Sequence, residues 1–247
     1  MKLGISSYTF PWAIGLPDAT PSQPFTPLQL LEKARELGVG IVQFGPNISL
    51  DKLPDNELRD VVKRANSWKI DLELGTVGVD PGHLRGQIQF AKRIGAILLK
   101  TTPERTDGRI PTRPEISHCL RAIIGDLAEA KIGLAIDNSR IPAGELNELL
   151  ESIRNPWLGA ALDTANPLAL PQGWQLSIRV LAHRTLSLHI KDFVVQPARH
   201  GMGFSVKGSP VGKGQLNIPW VMESFAAVRI EPSVILESWT QEQKTLP

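Results

Sequence analysis

The feature that most constrains the fold is an alternation of short apolar runs with longer amphipathic stretches, repeated from one end of the chain to the other. Small and β-branched residues dominate the short runs, as is typical of strands, whereas the longer stretches have helical periodicity. Helix start signals precede several of these stretches, for example Thr26-Pro27 and Pro54-Asp55. Eight strands are predicted, at residues 3–7, 41–45, 70–75, 96–101, 133–138, 158–163, 185–191 and 233–237.

Strands separated by helices imply right-handed βαβ units with parallel pairing. Eight such units in 247 residues predict an α/β fold of the (β/α)8 TIM barrel class, with residues 1–247 as a single domain. A doubly wound sheet is the competing fold, but no G-x-G-x-x-G motif follows the first strand. Only residues 238–247 follow the eighth strand, so we expect a shortened or missing last helix.

Composition narrows the range of partners. The chain has 27 basic and 25 acidic residues, with no long run of like charge, which argues against a nucleic-acid partner. Neither an N-terminal signal segment nor a run long enough to span a membrane is found, so we expect a cytoplasmic protein without a membrane partner. The single cysteine, Cys119, excludes an internal disulfide and a cysteine-rich zinc site.

Acidic side chains and one histidine are predicted to converge inside the barrel. Side chains alternate along a strand, and this alternation turns Asp137, Asp163, His189 and Glu237 inward on the last four strands. All four lie near the carboxyl ends of their strands, where barrel enzymes build their sites. Three buried carboxylates repel one another unless a cation neutralises them. The set therefore predicts a divalent metal ion, with Mn²⁺, Mg²⁺, Co²⁺ and Zn²⁺ all suitable.

Five segments carry a resemblance to a known family: LAIDN (134–138), ALDTAN (161–166), LHIKD (188–192), SPVGKGQLN (209–217) and VILESW (234–239). At these residues the chain resembles the xylose isomerase-like barrel superfamily of sugar phosphate isomerases and epimerases. The resemblance implies metal ligands at Asp137, Asp163, His189 and Glu237. Asp137 stands where the family usually has Glu, so its shorter side chain leaves three alternatives: a ligand, a ligand through water, or no ligand.

The reaction expected from this site is metal-dependent isomerisation or epimerisation of a sugar, sugar phosphate or related polyol ketone through an enediolate. Glu237 is the predicted base, with Asp137 as the catalytic group on the opposite side. Two alternatives remain open: a dehydratase of the inosose type, and a degenerate barrel that binds a carbohydrate without turning it over. The additional histidines of the endonuclease IV-like branch are missing, which argues against a nuclease.

Other polar residues are candidates for substrate binding. Lys100 either forms an ion pair with Glu73 or, together with Arg105, binds an anionic group of the substrate. Asn166 stands where the family often has a polar substrate contact. Residues 193–214 are long for a barrel loop and rich in glycine, so we expect a flap over the metal.

The short C-terminus also suggests self-association. Val234 and Leu236 are predicted to face outward on the eighth strand, where the missing helix leaves them uncovered. A homodimer would bury this apolar surface. Alternatively, the helices of the first and seventh units close over the gap.

Overall fold

The computed structural model describes residues 1–16, 19 and 21–240. Its strands are β1 (Lys2–Ser6), β2 (Ile41–Phe44), β3 (Asp71–Val77), β4 (Leu98–Thr102), β5 (Gly133–Asp137), β6 (Leu158–Asp163), β7 (Thr185–Ile190), β8 (Asp192–Pro197), β9 (Phe204–Ser209) and β10 (Ser233–Leu236). Its α-helices are α1 (Pro11–Ile14), α2 (Pro27–Glu36), α3 (Asp55–Trp68), α4 (Pro81–Ile94), α5 (Arg113–Arg121), α6 (Ile124–Ala130), α7 (Ala143–Ile153), α8 (Gly173–Leu181) and α9 (Ile218–Val228).

Eight parallel strands close into a barrel in the order β1, β10, β7, β6, β5, β4, β3, β2. The predicted (β/α)8 class is therefore confirmed, and each predicted barrel strand lies within one or two residues of the observed one. β10 closes the ring by pairing with β1, from Lys2 opposite Ser233 to Ile5 opposite Leu236. Within the described residues, no helix is both long and apolar enough to cross a membrane.

The Thr26-Pro27 start signal acts as the sequence indicates. Thr26 precedes α2 and forms a capping box: its hydroxyl accepts from the Gln29 amide, and the Gln29 side chain accepts from the Thr26 amide. Pro27 stands in the first turn, where its missing N–H leaves no bond unmade. These caps satisfy backbone donors that a helix leaves without intrahelical partners.

One strand departs from the predicted alternation. Strict alternation from His189 and Ser187 predicts an outward-facing Leu186, but Leu186 packs on the small residues Ala135 and Ala161 inside the barrel. The cause is a register shift: Ala160 pairs with Thr185 and Ala161 pairs with Ser187, which leaves Leu186 as an extra residue on β7. Beyond this irregularity the ladder is regular, and Asp163 pairs with His189.

A hairpin replaces most of the expected loop at residues 193–214. Strands β8 and β9 pair in an antiparallel ribbon that begins two residues after β7. Asp192 is fully buried at its base, and its carboxylate accepts hydrogen bonds from four backbone amides. Those amides belong to Phe193, Gly212, Gly214 and Leu216, so one side chain joins the two ends of the excursion.

The outer face of β10 is less exposed to solvent than predicted. Val234 is only 6% exposed and belongs to the same apolar core as Val221 and Phe225 of α9, and Leu236 is partly buried against that core. The exposed pair on which the homodimer prediction depended is therefore absent, and the homodimer stays a prediction without that argument. No helix follows β10 in residues 237–240; residues 241–247, where a last helix would continue, lie outside the described chain.

Candidate metal centre

Three of the four predicted ligands come together at the carboxyl ends of the barrel strands. Asp163 ends β6, His189 lies near the end of β7, and Glu237 directly follows β10. All three residues are buried. Each offers one ligand atom, and these three atoms all lie within 4.8 Å of one another. Two carboxylates and an imidazole at this spacing suit a divalent ion.

Asp163 is positioned by the turn that follows it. Its Oδ1 accepts from the backbone amides of Ala165 at 2.7 Å and Asn166 at 2.9 Å. The Asn138 side chain holds the Asp163 backbone from the neighbouring strand, accepting from its N–H at 3.0 Å and donating to its carbonyl at 3.3 Å. These contacts occupy Oδ1 and leave Oδ2 for the barrel interior.

Glu237 and His189 face each other across the strand pair β10 and β7. The Ser6 hydroxyl donates to Glu237 Oε1 at 2.8 Å, and His189 Nδ1 lies 3.3 Å from the same oxygen. Within the described chain, neither ring nitrogen of His189 has a hydrogen-bond partner, although the side chain is 1% exposed. An unpaired buried imidazole is costly, so its environment fits a metal ligand. The residues present therefore fit a divalent ion.

Two lysines enter the same cluster. Lys191 Nζ lies 2.8 Å from Asp163 Oδ2 and 2.9 Å from Glu237 Oε2, while Lys100 Nζ lies 2.8 Å from Asp137 Oδ2. Burial would lower the pKa of each ammonium group, but the neighbouring carboxylates outweigh it and raise the pKa of both. The same pairing holds the pKa of Glu237 well below its usual range despite burial.

Asp137 lies outside the group of three. Besides Lys100, its carboxylate is bound by the Ser139 amide at 2.7 Å and by the Asn166 side chain at 3.2 Å, both on Oδ1. Burial alone would raise the pKa of Asp137, but the charge and hydrogen bond of Lys100 lower it to about 2. Both carboxylate oxygens of Asp137 therefore already have partners within the protein. The role of Asp137 as a metal ligand or catalytic group stays a prediction.

The alternative of a Lys100–Glu73 ion pair is wrong. Lys100 pairs in register with Gly75, whereas Glu73 lies opposite Leu98, one inward position deeper in the barrel. Glu73 instead accepts a hydrogen bond from the Gln43 side chain at 2.8 Å. Burial raises the pKa of Glu73, and no cationic partner offsets this effect among the described residues.

A cavity of about 530 Å³ opens at this end of the barrel. The residues lining it are Thr102, Glu104, Ser139, Arg140, Ala165, Asn166, Leu168, Ala169, Lys191, Val206 and Trp239. Asn166 lines this cavity, and its contact with a substrate stays a prediction; Val206 places the hairpin at the mouth. Arg105 is not among the lining residues; its guanidinium lies 2.5 Å from Asp80 Oδ1 and 3.3 Å from the Cys119 sulfur.

Sequence reasoning did not single out Lys191 and Arg140, which line the cavity. The signal for Lys191 was present, because it stands two positions after His189 and so shares its inward parity. Arg140 follows β5 in a loop, where no periodicity constrains the direction of a side chain.

Comparisons with known proteins agree with this geometry. A model of the family described as xylose isomerase-like TIM barrel matches residues 82–246. The 3-oxo-isoapionate decarboxylase of Pectobacterium atrosepticum is 26% identical over 240 residues, covering 97% of this chain and 86% of that protein.

Solved structures share the fold at low identity. A xylose isomerase-like TIM barrel protein from Mycobacterium smegmatis in complex with magnesium has a TM-score of 0.74 at 12% identity, covering 98% of this chain and 91% of that one. D-psicose 3-epimerase from Clostridium cellulolyticum H10, solved with D-tagatose, has a TM-score of 0.74 at 14% identity, covering 99% and 87%.

Proposed function

Because the chain belongs to the xylose isomerase-like TIM barrel family, we propose that it is a divalent-metal-dependent enzyme that converts a keto sugar or related polyol ketone through an enediolate, as an isomerase or epimerase. The observation that carries this proposal is the buried group of Asp163, His189 and Glu237, whose ligand atoms lie within 4.8 Å of one another. A magnesium-bound protein and a sugar epimerase with the same fold support it.

Asp163, His189 and Glu237 would hold the ion, and Mn²⁺, Mg²⁺, Co²⁺ and Zn²⁺ all remain candidates. When bound, the ion supplies Lewis-acid polarisation of the substrate's carbonyl and hydroxyl oxygens. The chain's own part is to position the substrate and move its proton. Asn166 lines the cavity and can bind a substrate hydroxyl, and Glu237 is the proposed base. Arg140 lines the cavity, so we assign to it the anion-binding role that the sequence predicts for Arg105.

The test combines metal content with exchange at carbon. We expect the protein as purified to contain a divalent ion, and to exchange a carbon-bound proton for deuterium in at least one ketose of a panel incubated in D₂O. His189→Ala should abolish both, whereas His183→Ala, an exposed histidine beside Glu151, should change neither. A metal-free protein that binds sugars without exchange would instead favour the non-catalytic barrel.

A second candidate reaction is decarboxylation of a 3-oxo sugar acid. The specific observation in its favour is that Asp137 is held by Lys100, Ser139 and Asn166, with a pKa of about 2, so Asp137 itself is not free to act as the second base of two-sided epimerisation. Decarboxylation needs no base: the bond to the carboxylate carbon breaks, CO₂ leaves, and the electron pair stays in an enediolate that takes a proton from water. The decarboxylase relative supports this candidate.

The net charge of the site bears differently on the two candidate reactions. The three carboxylates and two ammonium groups of the cluster sum to minus one when His189 is neutral, so a divalent ion brings the site to plus one. An anionic substrate neutralises that charge, whereas a neutral ketose does not. Release of CO₂ from 3-oxo sugar acids, with deuterium incorporated at the carbon that lost it, is expected for the decarboxylase. Deuterium exchange into ketoses without CO₂ release from any acid would exclude it.

A further inference from the structure

Lys191 lies between two of the three candidate ligands. Its Nζ is 2.8 Å from Asp163 Oδ2 and 2.9 Å from Glu237 Oε2, and its side chain is 18% exposed. These contacts are salt bridges, which give the two carboxylates a cation of the chain's own.

The ammonium group and a divalent ion require the same oxygens. Asp163 Oδ1 already accepts two backbone hydrogen bonds, and Glu237 Oε1 accepts from Ser6. The remaining oxygens, Asp163 Oδ2 and Glu237 Oε2, are the two that contact Lys191. An ion bound at about 2.0–2.3 Å from these oxygens leaves no room for the ammonium group and repels it.

The backbone of Lys191 is fixed, so only its side chain can move. Its N–H donates to Thr164 Oγ1 at 2.9 Å, and its carbonyl accepts from the same hydroxyl at 2.9 Å. Lys191 also lines the cavity of about 530 Å³. A lysine side chain has several rotatable bonds, so its head group can leave the carboxylates and enter this cavity without displacing β7.

We propose, on the basis of the proposed function, that Lys191 is a further substrate-binding residue: its ammonium group neutralises Asp163 and Glu237 until a divalent ion binds, and then turns into the cavity to bind an anionic oxygen of the substrate. Lys100 differs from Lys191 in the position of its carboxylate partner. It is equally a partly buried lysine in an ion pair, but its partner Asp137 lies outside the group of three. Lys100 therefore provides a matched control.

The first measurement is Mn²⁺ affinity by calorimetric titration of ion-free protein. Lys191→Met removes the competitor, so we expect at least about tenfold tighter binding than in the wild type. Lys100→Met removes a nearby charge but no competitor for an oxygen of Asp163 or Glu237, so its gain should be clearly smaller. Lys2→Met, at an exposed pair with Asp71, should leave the affinity unchanged.

The second measurement uses the wild type alone and so does not depend on a variant that folds. Crystal structures without and with Mn²⁺ should show the Lys191 ammonium on both carboxylates in the first and inside the cavity in the second. A third measurement compares D-gluconate with neutral sorbitol as probes of Mn²⁺-saturated protein. The wild type should prefer the anion by about tenfold, and Lys191→Met should lose that preference.

The outcomes separate this inference from the function on which it rests. If the wild type binds none of Mn²⁺, Mg²⁺, Co²⁺ and Zn²⁺, both are wrong. If Mn²⁺ binds but Lys191→Met gains no more affinity than Lys100→Met, or the ammonium group stays on both carboxylates in the Mn²⁺-bound crystal, the displacement of Lys191 is wrong and the metal site stands. An equal preference for gluconate in Lys191→Met overturns its contact with the substrate.

Discussion

Removing the ammonium group of Lys100 should leave a buried carboxylate without its partner. Asp137 is 1% exposed and Lys100 is 18% exposed, with 2.8 Å between the charged atoms. At an effective dielectric constant near 20, unit charges at this distance attract by about 6 kcal/mol, much of which is offset by desolvation. Removing one partner of such a pair costs about 3–5 kcal/mol, and we expect Lys100→Met to lose that much of the free energy of unfolding at pH 7.

The same pair sets the pH dependence of the loss. The pKa of Asp137 is lowered from 3.8 to about 2, so in the wild type it contributes stability that is present above pH 3.8 and lost as the pH falls toward 2. This contribution is about 2 kcal/mol at neutral pH. In Lys100→Met, burial raises the pKa of Asp137 instead, and protonation then relieves the unpaired charge. The difference between wild type and variant should therefore shrink as the pH falls from 8 to 5.

Urea denaturation followed by circular dichroism measures both effects. Asp137→Asn in the Lys100→Met background removes the stranded charge and keeps an oxygen for Ser139 and Asn166, so it should recover at least half of the loss. Lys2→Met, at an exposed pair, should cost less than about 1 kcal/mol. A loss below about 1 kcal/mol in Lys100→Met, or one that neither Asp137→Asn nor lower pH reduces, refutes the reasoning.

Three further predictions concern the barrel and the hairpin, and denaturation midpoints check each. Gly159→Ala should lose about 2 kcal/mol, because its added Cβ meets a backbone oxygen at 2.5 Å and Leu186 at the same distance; full stability would show that β7 moves aside easily. Asp192→Ala should cost more than about 3 kcal/mol through four unpaired amides, and Asp192→Asn clearly less; equal losses would contradict this account. Glu73→Gln should become more stable than the wild type as the pH rises above 4.5, because the raised pKa of Glu73 makes its ionisation oppose folding; a pH-independent difference would contradict it.

The positions of Asp163, His189 and Glu237 were predictable because strand alternation alone fixes which face they occupy. Each lies at or next to the carboxyl end of a barrel strand, so parity and topology bring them together without knowledge of packing. The family resemblance added the reaction class that we propose, and the family match confirms the resemblance itself.

The ion pairs were not predictable in the same way. The position of Lys100 along the barrel axis, relative to Glu73 and Asp137, depends on the register between neighbouring strands. Alternation within a single strand gives no information about that register. Leu186 shows the same limit, since one extra residue on β7 turned it inward. Contacts of long side chains are also hard to predict. Strand alternation indicates that Lys191 points inward, but not that its ammonium group contacts two carboxylates from different strands.

The hairpin is held at its base, so its far end can be changed independently of the barrel. Asp192 ties the start of β8 to residues 212–216, and the Trp239 indole donates to the Asp192 carbonyl at 2.9 Å. The segment between Pro197 and Phe204 is the far end of this ribbon, and its length has no bearing on how the base is held. A change at the tip of the hairpin therefore need not move the candidate metal ligands. Replacing this tip would test whether the hairpin affects the substrate range proposed for the cavity, with the candidate metal centre left unchanged.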